Sequence, residues 1–438
     1  MDKPYLLTAV EALNLLKSNS ISVEEYVSSL LRRIRERDNV VKAWAYLDPA
    51  SVLSQARALD QIPQDQRGPL HGLAVGVKDI MNTKDMPTEF GSPIYKGNQS
   101  ALDSSAVAIL RAAGALIFGK TTTTEFTVTN SGGGSFGPNT TNPHDPNRTP
   151  GGSSSGSAAA VADFQVTVSL GAQTGGSIIR PASFTGVYAM KPTYNAISTE
   201  GQKGYAPTFD TLGFFARSVD DLQLLAEVFG LRDDVVPREI PLNQVSVALI
   251  ETPMWPSAGH GTRAAMESAA VILQNNGVQV EKKEFPLGVD SDTLVQIQKI
   301  IFAGEAQVTF FREYQVDKAR LSPETRGIVE NSNYTKAERM AAVDAYAGIR
   351  EAMNKLAEKY SFILTPSAID EAPLGLDDMG SAIFNTHWTG FHMPVVNVPG
   401  FHGANGLPIG LSLVAPRYYD LHLLEMSKAF SELFGKEV

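Results

Sequence analysis

The chain has 438 residues, of which 43% are apolar and 19% charged, with a net charge of −10; this is the composition of a protein with a large buried core. The acidic balance and the lack of a long basic run speak against docking on a nucleic-acid backbone, and no stretch approaches the roughly 20 apolar residues that span a bilayer. Cysteine is absent, which excludes disulfides, thiolate nucleophiles and Cys-held metals.

The N-terminus, Met1-Asp2-Lys3-Pro4, opens into an amphipathic pattern and not an apolar signal core, so a cytoplasmic protein is expected. The first sixty residues read as helical. Thr8-Ala9-Val10-Glu11 and Ser22-Val23-Glu24-Glu25 both carry capping-box spacing. After the second, Val23, Tyr26, Val27, Leu30, Leu31 and Ile34 recur at steps of three and four and mark one apolar face. From His71 the rhythm changes. Leu73 to Lys78 reads as a buried strand ending on a charge, Ser105 to Ala115 as a helix, and Ala115 to Lys120 as the next strand. A long stretch rich in Thr, Asn, Gly and Pro follows from Thr121 to Thr149, the kind of irregular segment that carries function inside a compact domain.

Ser155 to Asp163 is Ala-rich and helix-prone, Gln165 to Leu170 alternates like a strand, and Gly171 to Ser177 forms a tight loop after it. Such a loop lies where open α/β sheets bind ligands. Further on, Thr262–Asn275 and Thr335–Tyr360 read as helices, the second opening on a capping box with Glu338. Phe362 to Leu364 reads as a strand, and Val395–Val398 with Ile409–Leu413 as a hairpin across Asn405-Gly406. Strands alternating with helices predict an α/β fold: one α/β/α sandwich with a large mixed, mostly parallel sheet covered by helices on both faces. No repeat or low-complexity linker divides the chain. Residues 1–438 are therefore expected as one domain, with N-terminal helices over 1–64, a core over about 65–220 and a C-terminal part, 221–438, completing the sheet and the substrate pocket.

Three features carry candidate chemistry. Lys78 ends an apolar strand, where lysine is unusual unless paired or functional; desolvated there, its amine loses its proton readily and can act as a base. Asp79 should point to the opposite face. Gly151-Gly152-Ser153-Ser154-Ser155-Gly156-Ser157 satisfies G-x-S-x-G with Ser154 central, but a nucleophile elbow needs a strand immediately before it, and Thr140 to Pro150 is polar and proline-rich. Ser177 follows Thr174-Gly175-Gly176, where glycines free successive backbone N–H groups to converge on an anion.

Gly76-Val77-Lys78-Asp79, the segment Arg148 to Ala159 and Gly175-Gly176-Ser177 together resemble the amidase signature family. Twenty-four residues separate Ser153 from Ser177 and ninety-nine separate Lys78 from Ser177, spacings similar to those of its members. The capped N-terminal helices, Gly119-Lys120-Thr121, Phe136-Gly137-Pro138, Asn142-Pro143 and Gly406-Leu407-Pro408-Ile409-Gly410 extend the likeness over most of the chain. The resemblance implies a hydrolase cleaving a carboxylic amide C–N bond through an acyl-enzyme. In it Ser177 is the nucleophile, Ser153 the proton shuttle, preceded by a cis peptide at Gly152-Ser153, and Lys78 the general base. The backbone of Thr174, Gly175, Gly176 and Ser177 forms the oxyanion hole, and neither a cofactor nor a metal is required. Two positions depart from the family pattern. Gln173 stands where an aspartate is usual, and Ile179 replaces an arginine, with Arg180 one place later.

Phe126, Thr129, Asn130, Ser131 and Trp388 are the expected pocket residues, with Phe384 and Phe391 as further lining candidates. The expected partner is a small-molecule amide, with aryl amides and carbamates admissible, a homodimer permitted, and no nucleic acid or membrane. The main expectation is a free-standing amidase. One alternative is the glutamine-hydrolysing component of a tRNA-dependent amidotransferase; another is a non-catalytic binding protein that has kept the fold.

Overall fold

The structure, a computed structural model, describes residues 3–128, 139–238 and 240–434. Local sequence chemistry sets the helices at the N-terminus. In the helices Ala9–Lys17, Val23–Val41 and Lys336–Ala357, the N-cap residues Thr8, Ser22 and Thr335 accept from the N3 backbone N–H, and Glu11, Glu25 and Glu338 reach back to the cap. Each such cap is worth about 1 kcal/mol, so it fixes where a helix begins more than how stable the fold is. Val23, Tyr26, Val27, Leu30, Leu31 and Ile34 are all buried, as their spacing requires.

Eleven strands form one sheet: β1 (Trp44–Tyr46), β2 (Ala74–Lys78), β3 (Leu116–Thr121), β4 (Val168–Gln173), β5 (Tyr188–Lys191), β6 (Thr211–Ala216), β7 (Ser246–Leu249), β8 (Gln279–Lys282), β9 (Phe362–Pro366), β10 (Val395–His402) and β11 (Pro408–Val414). Their order is β1-β3-β2-β4-β6-β5-β10-β11-β9-β7-β8. Every residue of β2, β3, β4, β6, β9 and β11 is buried. Because side chains alternate between faces, burial of both sets means that both faces are covered.

The sheet is mixed, as expected, but its balance differs from the mostly parallel reading. β2–β3, β2–β4, β7–β8 and β7–β9 are parallel, whereas the other six pairings are antiparallel. The cause lies at the centre. β6 runs against both β4 and β5, and β10 and β11 form a hairpin that turns at Asn405-Gly406, with Gly406 at φ +73°. Composition predicts strands, but their direction depends on which neighbour each one meets.

Topology also decides where the chemistry lies. β2 and β4 are parallel neighbours, so Lys78 at the end of β2 and the loop after Gln173 in β4 reach the same edge of the sheet. β6 pairs antiparallel with Gln173 opposite Thr211, which brings Asp210 to that edge as well.

Candidate active site

Residues 151–154 approach the ends of β2 and β4 and then enter the helix Ser155–Ala162, which packs on both strands. Gly156 permits this approach: a Cβ there would lie 2.2 Å from Ala43 O and 2.4 Å from Thr122 N, closer than any side chain allows. The Gly152–Ser153 peptide is cis.

Lys78 Nζ lies 2.7 Å from Ser153 Oγ, 2.9 Å from Ser154 Oγ and 3.4 Å from Ala172 O. Lys78, Ser153 and Ser154 have no solvent exposure, while Ser177 keeps 7%. Burial pushes the Lys78 ammonium well below lysine's ordinary range; the negative charge of Asp210 opposes that shift and the positive charge of Arg180 adds to it. Asp79 turns away and forms a buried ion pair of 3.0 Å with Lys120, so it does not hold Lys78 in its charged form. A buried, near-neutral amine beside two hydroxyls is a competent base.

Ser154, the residue that the short motif singles out, is tied to β4. Its Oγ donates to Ala172 O at 3.2 Å and accepts from Ala172 N at 3.4 Å. No strand precedes it among the described residues. Its hydrogen bonds to Lys78 and Ala172 give it the place of a support for the lysine.

Two links hold the Ser153 segment against the Ser177 segment. Ser154 is bonded to Ala172 on one side. On the other, Arg180 Nη2 donates to Gly152 O at 2.6 Å, and its Nη1 donates to Gly380 O. Arg180 is 2% exposed, and burial lowers its pKa to about 10. The displaced arginine thus anchors the backbone at Gly152 to the 378–380 turn.

Ser177 lies between β4 and the helix Ile179–Thr185. Among the described residues, the backbone N–H groups of Gly175, Gly176 and Ser177 meet no protein acceptor, so three donors remain available at the loop. Thr174 Oγ1 donates to Asp210 Oδ1 at 2.5 Å, and Tyr205 N donates to Asp210 Oδ2 at 2.7 Å. Burial raises Asp210 to about 6 against these hydrogen bonds. Sequence reasoning missed Asp210, because nothing local distinguishes Phe209-Asp210-Thr211 from an ordinary strand entry.

A cleft of about 650 Å³ opens beside this loop. Tyr205, Val295, Phe302, Ile328 and Ile383 give it apolar walls, and Ala382 and Thr386 bring it against Gly175 and Gly176. Asn385 lies beneath it. A Cβ on Gly176 would stand 2.5 Å from Asn385 Oδ1, an oxygen with no partner among the described residues. The expected pocket residues are placed otherwise. Phe126 is fully buried against Tyr95 and Phe310, and Trp388 packs on His387 and Phe391. Neither lines the cleft. Phe384 and Phe391 are likewise core residues. Thr129, Asn130 and Ser131 lie outside the described residues. Large aromatics bury more readily than they line a wet cleft; the short segment 381–386, which supplies part of the wall, has no such signature.

The family profile described as Amidase matches residues 25–424. The chain belongs to this family. It is accordingly an amidase-signature hydrolase of C–N bonds. Among similar amidase sequences is the A component of the chloroplastic/mitochondrial glutamyl-tRNA(Gln) amidotransferase of Zea mays, 30% identical over 95% of this chain and 87% of that protein. Among solved amidase structures, a chain from a vestigial protein complex bearing on the origins of an s-triazine catabolic enzyme superposes with a TM-score of 0.86. It is 25% identical, covering 97% of this chain and 98% of the other. A crystal structure of an amidase gives 0.85 at 27% identity, covering 97% and 99%. Among the described residues, no group of three or more His, Asp or Glu is placed to hold a metal ion, and no helix is long and apolar enough to cross a membrane.

Proposed function

We propose that the protein hydrolyses a carboxylic amide through an acyl-enzyme on Ser177, with Ser153 as proton shuttle and Lys78 as general base. The observation that carries this reading is the buried Lys78 amine, 2.7 Å from Ser153 Oγ and depressed in pKa. Neutral Lys78 takes the Ser153 proton as Ser153 takes that of Ser177, whose Oγ attacks the amide carbon. The oxyanion meets the free N–H groups of Gly175, Gly176 and Ser177, with Thr174 shaping the loop. As the C–N bond breaks, the relay returns a proton to the leaving nitrogen, and water then releases the acid by the same route. A non-catalytic role gives no reason to bury an unpaired lysine against two serines.

For the substrate, the sequence relative favours the amidotransferase setting over the free-standing one. Similarity to the amidotransferase component spans nearly the whole chain, and glutamine is therefore the first substrate to test, with partner proteins supplying any contact to tRNA. The free-standing reading draws on the cleft. Its walls are mainly apolar, and its two charged residues, Lys299 and Glu324, are both exposed, whereas the α-ammonium and α-carboxylate of glutamine call for placed charges. It also draws on the likeness to a solved amidase. The test is purified protein assayed for ammonia release from glutamine, alone and with co-purifying partners, beside a panel of aryl amides and carbamates. Glutaminase activity that depends on partners supports the first setting, and turnover of simple amides by the protein alone supports the second. Labelling of a residue other than Ser177 by a fluorophosphonate overturns the nucleophile assignment.

A further inference from the structure

Gln173 stands where the family's usual residue is an aspartate, and the structure shows what its amide does that a carboxylate cannot. Gln173 Oε1 accepts from Ile178 N at 2.8 Å and from Ile179 N at 3.0 Å. These two backbone donors fix the amide orientation, because only an oxygen can take them. The Nε2 group must then donate, and it does so to Thr389 Oγ1 at 2.9 Å. Thr389 has one hydroxyl hydrogen. With its oxygen already occupied as an acceptor, that hydrogen goes to Gly175 O at 2.9 Å, in preference to Asn385 O at 3.2 Å. Gln173 is 1% exposed and Thr389 fully buried, so water does not compete.

The Gly175 carbonyl and the Gly176 N–H belong to one planar trans peptide and point in opposite directions. Holding the carbonyl towards Thr389 therefore aims the Gly176 N–H the other way. We propose that Gln173 and Thr389 form a positioning pair that sets the Gly175–Gly176 peptide and so directs an oxyanion donor. A carboxylate at position 173 would draw the Thr389 hydrogen to itself and leave the Gly175 carbonyl unheld. This inference rests on the reading of Ser177 as nucleophile.

The test uses the full chain and three variants, read by the second-order rate of fluorophosphonate labelling at Ser177 and by kcat and KM on whichever panel amide the wild type turns over. Thr389→Val lowers both labelling rate and kcat by about 10–100-fold with KM little changed, less than the ~10²–10³ that follows outright loss of an oxyanion donor. Thr389→Ser restores most of the rate. Gln173→Glu still caps the helix Ile179–Thr185, since a carboxylate accepts the same backbone donors. Its thermal midpoint therefore holds while its rate falls, and the rate recovers as pH is lowered and the glutamic acid regains a hydrogen to donate. Wild-type rates in Thr389→Val and Gln173→Glu, or losses that follow the thermal midpoint without recovery at low pH, overturn the proposal. Failure of the underlying reading looks different: the wild type is then not labelled at Ser177, and Ser177→Ala reacts as the wild type does.

Discussion

The sheet edge that gathers Lys78, Ser153 and Ser177 and the helical segment that walls the cleft, 291–331, are held in place by different means. At the sheet edge, every strand residue of β2 and β4 is buried, and the polar groups are bonded to one another or to backbone. The helices Ser291–Thr309, Phe311–Asp317 and Pro323–Asn331 leave Val295, Val308, Phe311 and Val316 exposed. This segment is fastened to the core largely through carboxylates. Glu125 accepts from Ser322 N and Thr325 Oγ1, Glu313 from Tyr95 and Lys203, and Glu305 from Thr208. A base with a depressed pKa needs a dry, rigid site, whereas a substrate wall needs only a defined shape. The difference separates the bond-breaking machinery from the part of the protein that selects substrate.

The largest effects should therefore come from the sheet edge. Ser177→Ala and Lys78→Met are expected to reduce kcat/KM by about 10⁴–10⁶, as removal of a nucleophile or its base does in other serine hydrolases. Comparable turnover in either variant would end that separation. The pH dependence follows from the same burial. Lys78 is neutral above its depressed pKa, so kcat/KM should rise with pH along a limb that lies well below lysine's ordinary 10.5. Asp210 favours the ammonium; Asp210→Asn should therefore move that limb to lower pH, and a shift to higher pH would contradict the assignment.

Smaller effects belong to the wall. Phe302→Ala and Ile383→Ala should alter discrimination among amides by about tenfold, the worth of a few methylene contacts, while fluorophosphonate labelling of Ser177 stays near the wild-type rate. Equal losses in both assays would mean that the wall also shapes the machinery. Least of all should Glu313→Gln change the chemistry. Burial alone would raise the Glu313 pKa, but hydrogen bonds from Lys203 and Tyr95 outweigh it and the net shift is downward. Such a group stabilises the fold above the ordinary glutamate value of 4.5 and loses that contribution as pH falls below it. The variant should therefore lose about 1–2 kcal/mol near neutral pH, and the deficit should narrow in acid; thermal melts at both pH values check the sign.

Much of this was legible in the chain, for local reasons. Capping boxes at Thr8, Ser22 and Thr335 mark helix starts because the interacting residues are three positions apart. The hairpin at Asn405-Gly406 is readable because its partners are neighbours in sequence. Lys78 stands out as a charge at the end of an apolar strand, and glycine beside serine marks the two loops. Less legible were the element ends. The strand expected over Gln165–Leu170 runs from Val168 to Gln173, which puts Gln173 within β4 and leaves Thr174 to open the loop. Phe126 and Trp388 illustrate the limit for the pocket: a large aromatic fits core or cleft equally well until the fold encloses it.

By itself, the sequence determined the alternation of strands and helices, the three residues that carry the resemblance and the positions that depart from it, since these depend on residue type and spacing along the chain. Only the tertiary structure decided that β2 and β4 end side by side, that Asp210 and Thr389 reach the Ser177 loop from 33 and 212 residues away, and that Arg180 turns to the Gly152 carbonyl. Hydrogen bonds across such separations follow from the strand order, and strand order is settled by packing of the whole sheet, which no local stretch of sequence encodes.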